Sequence, residues 1–228
     1  MLVAAAVCPH PPLLVPELAS GASAEMDDVR ERCRSAVAQL AAAHPDLLVV
    51  VGADLGPRSV SFAPWGVDVA VDVPEPLPLP LLVGAWLTRG HVRSFAAVSP
   101  ELDGAECAAL GAELADAADR VALLAMGDGS ARHTEKAPGY LDPRAAAYDE
   151  RVGAALAEVD TDGLLALEPA EAESLLVAGR APWQVLAGAA GDGQLATEAA
   201  SLTVPFGVGY HVAHWRAQEG NEAAAAKG

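Results

Sequence analysis

The sequence predicts an α/β fold with a mostly parallel central sheet flanked by helices on both faces. Two observations carry this reading. Short, continuous apolar runs at residues 2–8, 46–52 and 120–126 fit strands buried on both faces, as parallel strands are. Longer amphipathic stretches, set off by Pro and Gly, alternate with those runs, which is the order of a sheet covered by helices.

Each element has a local reason. The first run ends at Pro9, which cannot continue a ladder. Ser23 fits the cap of a helix to about Ala43, with Glu25, Asp27 and Asp28 in the first turn and His44-Pro45 as its stop. Residues 46–52 (DLLVVVG) read as the second buried strand, and 67–73, alternating Val with Asp or Ala, as a third and more exposed one. The proline-rich run 74–80 reads as an extended loop entering a helix at Pro80, which Gly90 closes before a strand-like stretch at 91–98. Asp103 and Glu106 have capping-box spacing for a helix to about Ala118. Residues 120–126 form a further strand, followed by Gly127-Asp128-Gly129-Ser130. Asp142-Pro143 opens a long helix to about Val159, and two shorter helices begin at Pro169 and Pro182 with Gly179 as a C-cap between them. Residues 203–215 hold a last strand, with Val208, Tyr210 and Val212 on one face. Residues 1–216 are read as one domain and 217–228 as a flexible tail.

Charge narrows the partners. The formal net charge is −17 and the chain is 52% hydrophobic, too apolar for a disordered segment. That acidity argues against nucleic acid and against an anionic membrane surface, both of which attract basic stripes. A small-molecule ligand is the expected partner, and a homo-oligomer is compatible with the sequence. Cys8, Cys33 and Cys107 are odd in number and widely spaced, so free thiols in the cytoplasm are expected. The apolar start has no basic residue before it and is read as a strand, not a leader.

Ligands of open parallel sheets bind beyond the carboxyl ends of the strands. That rule selects His10, Asp54 and Asp128, each placed just after a buried run, and predicts that they converge. His133 and Glu135 continue the Asp128 loop, and His211 or His214 can join from the last strand. Plainer roles compete: Asp54 can bond backbone in the following Gly-Pro turn, Asp128 can make an Asx turn, and His133 can be a solvated loop residue. Gly127-x-Gly129 lacks the third glycine of a phosphate loop.

Several blocks together resemble a known family. Cys8-Pro9-His10-Pro11-Pro12, DLLVVVG at 46–52, MGDGS at 126–130, DPRAAAYD at 142–149, GRAPWQVLAGA at 179–189 and GVGYHVAHW at 207–215 resemble class III extradiol ring-cleaving dioxygenase B-subunits and their Memo-like relatives. The resemblance spans nearly the whole chain. It implies a non-haem Fe(II) held by two His and one carboxylate, with open positions for a catecholate and O₂, and a further His as acid–base. His10 matches the first ligand. The second ligand position falls at Asp54, the acid–base position at Ala131 with His133 two residues on, and no Glu stands near Gly179–Trp183 for the carboxylate. A rearranged set would use His10, Asp54 and His211 (or His133) for Fe(II) or another divalent metal, with His133 and Asp128 as catalytic groups. The implied activity is oxidation of an aromatic diol, for which Trp65, Trp183, Tyr140 and Tyr210 are the candidate aromatic contacts. Two alternatives accompany it: a catalytically degenerate relative, without a cofactor, that binds a small molecule or a protein, and a metal-assisted hydrolase.

Overall fold

The computed structural model describes residues 1–19, 23–91, 93–191 and 193–218, apart from the Ser23 side chain. The tail from 219 onward and the capping role of Ser23 lie outside those residues.

A central sheet runs in the order β5-β2-β6-β1-β8-β7. Its strands are β1 (Leu2–Cys8), β2 (Leu47–Ala53), β5 (Arg93–Val98), β6 (Val121–Met126), β7 (Leu195–Thr203) and β8 (Tyr210–Ala217). β5, β2, β6 and β1 are parallel, whereas β8 lies antiparallel to β1 and β7 antiparallel to β8. The sheet is therefore mixed and mostly parallel. The helices are α1 (Pro16–Ala19), α2 (Ser23–Ala42), α3 (Leu79–Leu87), α4 (Gly104–Ala115), α5 (Ala145–Glu158), α6 (Thr161–Leu165), α7 (Pro169–Ser174) and α8 (Arg180–Ala190).

Two cores sandwich the sheet. Val50, Leu124, Met126, Tyr210 and Val212 face α2 and α3, while Val49, Val51, Leu123, Ala213 and Trp215 face α5 and α8. Every residue of β1 and β6 is buried, which is why both read as unbroken apolar runs. α8 is buried along almost its whole length because α4 covers its outer side. The capping box at Asp103 forms: Glu106 N–H donates to Asp103 Oδ1 at 2.8 Å, and Asp103 N–H donates to Glu106 Oε2 at 2.9 Å.

Several expectations need correction. Residues 67–73 form no strand; only an isolated antiparallel bridge joins Ser61 and Ala70 there. The proline run does yield a two-residue strand, β4 (Leu77–Pro78), paired with β3 (Arg58–Ser59). α8 begins at Arg180 instead of Pro182, so Gly179 caps its start and not the end of α7. The left-handed residue after α7 is Leu176, at φ 55°. The last strand of the sequence reading is the second arm of a hairpin whose first arm, β7, has no fully buried residue and exposes Glu198, Ala199 and Ala200 at its middle. Cys8, Cys33 and Cys107 are buried and unbridged. No described helix is long and apolar enough to cross a membrane.

Candidate functional site

The carboxyl ends of β1 and β6 lie side by side, Cys8 paired with Met126. Just beyond them, Gly127 N–H donates to the Cys8 carbonyl at 2.9 Å, which brings the loop after β6 against the turn after β1. Asp128 and His10 meet there. The His10 backbone N–H donates to Asp128 Oδ1 at 2.7 Å, and His10 Nδ1 stands 3.5 Å from the same oxygen. Nδ1 is buried without a hydrogen bond, whereas Nε2 keeps some exposure and has no partner among the described residues. Burial pushes the Asp128 carboxyl up; the His10 ring and N–H oppose this, and the charge of Asp149 adds to it. Cys33, packed behind β1, has its thiol raised by burial first and by neighbouring Cys8 second, which leaves it unreactive.

A second cluster sits beneath the first. Asp149, on the buried face of α5, has no solvent exposure. Its Oδ2 lies 2.6 Å from His133 Nε2 and its Oδ1 lies 3.2 Å from His211 Nε2. The Ser130 N–H donates to both oxygens, at 3.2 and 3.0 Å. With the carboxylate accepting, both rings carry a proton on Nε2. The fit is close: a Cβ at Gly209 would stand 2.1 Å from Asp149 Oδ2, so only glycine lets β8 approach the carboxylate. Trp183 packs edge-on against His211, with ring centroids 5.4 Å apart.

The sequence-selected residues therefore divide. His10 and Asp128 are brought together. Asp54 contacts neither: its carboxylate takes the Arg58 Nη2 donor at 2.8 Å to each oxygen, on the exposed side of the Gly56 turn. The bonds join His10 and Asp128, while Asp54, which follows β2 at the same edge, spends its carboxylate on an arginine four residues on. His133 and His211 do come to the Asp128 loop, but their Nε2 atoms are turned to Asp149. His214 faces the opposite side, with Nδ1 3.1 Å from Glu198 Oε2. Of the aromatic candidates, Trp183 and Tyr210 are core residues, Trp65 packs edge-on against Phe62, and Tyr140 is exposed.

The sequence does carry a signal for Asp149. It occupies the same helix face as Ala145, Tyr148, Val152, Ala155 and Leu156, all buried, and a carboxylate at a core-facing position of that stripe needs partners.

The fold is shared with a solved structure. The uncharacterized protein JW3007 of Escherichia coli K12 superposes over 93% of this chain and 99% of its own, with a TM-score of 0.53 and 16% sequence identity. The likeness is one of fold. No family model matches the chain, and no curated protein does.

The donors do not fit the iron triad implied by the resemblance. Among the described residues no group of three or more His, Cys, Asp or Glu is spaced to hold a metal ion. His10 keeps an open nitrogen, but Asp54 is held by Arg58 and the Nε2 of His211 by Asp149. What remains at the edge is a partly exposed imidazole nitrogen beside a carboxyl that burial has made less acidic, a pair suited to holding or accepting a proton.

Proposed function

We propose that this chain is a divergent relative of the class III extradiol dioxygenases that keeps their fold and has given up their iron site. Its carboxyl edge then serves as a small-molecule site organised by His10 and Asp128. The observation that carries this reading is the commitment of His133 and His211 to Asp149. Two imidazoles that could have completed a ligand set are bonded to a carboxylate with no solvent exposure, and releasing either would leave that charge short of a partner.

The test is an oxygenase assay on the full chain with Fe(II), O₂ and a panel of catechols, following the yellow ring-opened product. No turnover above the rate without protein is expected. Turnover near about 1 s⁻¹, the low end for a working enzyme, lost in His10→Ala, would overturn the reading.

A further inference from the structure

A cavity of about 670 Å³ opens beside the carboxyl edge, and neither His10 nor Asp128 lines it. Its walls come from the segments after β2 and β5 and from α7 with the start of α8: Leu55, Pro100, Ala172, Leu176, Val177 and Arg180 among them. Its size is that of a site for a small ligand, and most of its lining is apolar.

Arg180 makes it more than a dent. The residue is 2% exposed, yet no carboxylate lies in ion-pair range among the described residues. Its guanidinium is held by neutral acceptors: Nη1 donates to the Leu102 carbonyl at 2.5 Å and to Gln184 Oε1 at 2.7 Å, and Nη2 donates to the Pro100 carbonyl. Three of five N–H donors are thus matched. Nε has no acceptor among the described residues, and Arg180 is part of the cavity lining. A buried cation without a counter-ion is costly, and an anion in the cavity would relieve that cost.

Two further features limit the anion. Glu101 and Glu173 line the cavity and are solvent-exposed, so a doubly charged group would meet about twice the repulsion of a singly charged one. Leu176 is 50% exposed and held at φ 55°, where glycine is the usual residue. Its place after α7 is fixed by bonds from Leu176 N–H to the Glu173 carbonyl and from Val177 N–H to the Ala172 carbonyl. Keeping leucine in that conformation supplies an apolar side chain at the cavity wall.

We infer that this cavity binds an apolar monocarboxylic acid, with Arg180 as the counter-ion of its carboxylate. This goes beyond the preceding proposal and stands whether or not His10 handles protons. Calorimetric titration of the full chain with octanoate, 1-octanol and octyl phosphate tests it. Octanoate is expected to bind one to one, with octanol and octyl phosphate each about tenfold or more weaker. Leu176→Glu, an exposed substitution whose folding circular dichroism can verify, is expected to weaken octanoate by a similar factor. Arg180→Gln, provided its circular dichroism is that of the wild type, is expected to bring octanoate down to octanol. Equal binding of octanoate and octanol, no octanoate binding, or binding unchanged in Leu176→Glu would each overturn the proposal.

Discussion

Asp149 accepts hydrogen bonds from Ser130 N–H and from two imidazoles while sealed from water, so its charge rests on those donors alone. Asp149→Ala removes the acceptor from all three and is expected to destabilise the fold by about 3–5 kcal/mol, the usual cost of breaking a buried charged network. Urea unfolding measures it; a loss below about 1 kcal/mol would mean that the cluster is not structural. Asp128 calls for a pH experiment. Its pKa is raised in the folded state, so the folded chain holds that proton more tightly than the unfolded one, where the carboxyl titrates near about 3.9. The stability from this group is full below that value and is lost as pH rises through the folded-state pKa. Asp128→Asn retains an oxygen for the His10 N–H and is expected to match the wild type near about pH 3 and to exceed it increasingly as pH rises above about 4. Thermal melts across pH decide; a difference that does not grow with pH contradicts the assignment. The strand-end rule found His10 and Asp128 because it depends on topology, which apolar runs reveal. It could not place Asp54, whose partner Arg58 is chosen by a turn, nor foresee that both histidines would turn toward a helix.

At the scale of elements, the contact between α4 and α8 depends on two glycines. A Cβ at Gly111 would lie 2.1 Å from the Val185 carbonyl oxygen, and one at Gly188 would lie 2.3 Å from that of Ala108. Helix propensity alone favours Ala over Gly by about 1 kcal/mol, whereas overpacking against backbone costs about 1–3 kcal/mol. Gly111→Ala is therefore expected to lower the midpoint of thermal unfolding, and a rise would show that the helices can separate freely. Leu176→Gly is expected to do the reverse. It removes a left-handed leucine, a conformation costing about 1–2 kcal/mol, and should raise the midpoint while weakening octanoate. β1, β2, β6 and the α4 capping box were legible because burial on both faces and cap chemistry are local signals. β7 was not, since an edge strand with Glu198 and several alanines has little apolar contrast. The start of α8 was misplaced because Pro182 is a good first-turn residue, yet the buried Arg180 side chain holds the helix start two residues earlier.

Over the whole molecule, the mostly parallel sheet and the helices on both faces follow from the alternation of apolar runs, whereas the strand order with its antiparallel edge does not, and the E. coli K12 protein reaches the same fold with 16% identity. A fold fixes where strand ends meet and leaves open which side chains stand there. In this chain they are a His–Asp pair at the edge, a sealed His–Asp–His cluster beneath it, and a cavity with a buried arginine alongside. The net charge of −17 makes that arginine the more telling, because carboxylates are abundant and none lies in ion-pair range of it among the described residues. The proposed loss of the iron ligand set is open to anaerobic calorimetric titration with Fe(II). The expected result is no saturable one-to-one site, and the same trace for wild type, His10→Ala and Asp54→Asn. A one-to-one Fe(II) isotherm that both substitutions abolish would contradict it.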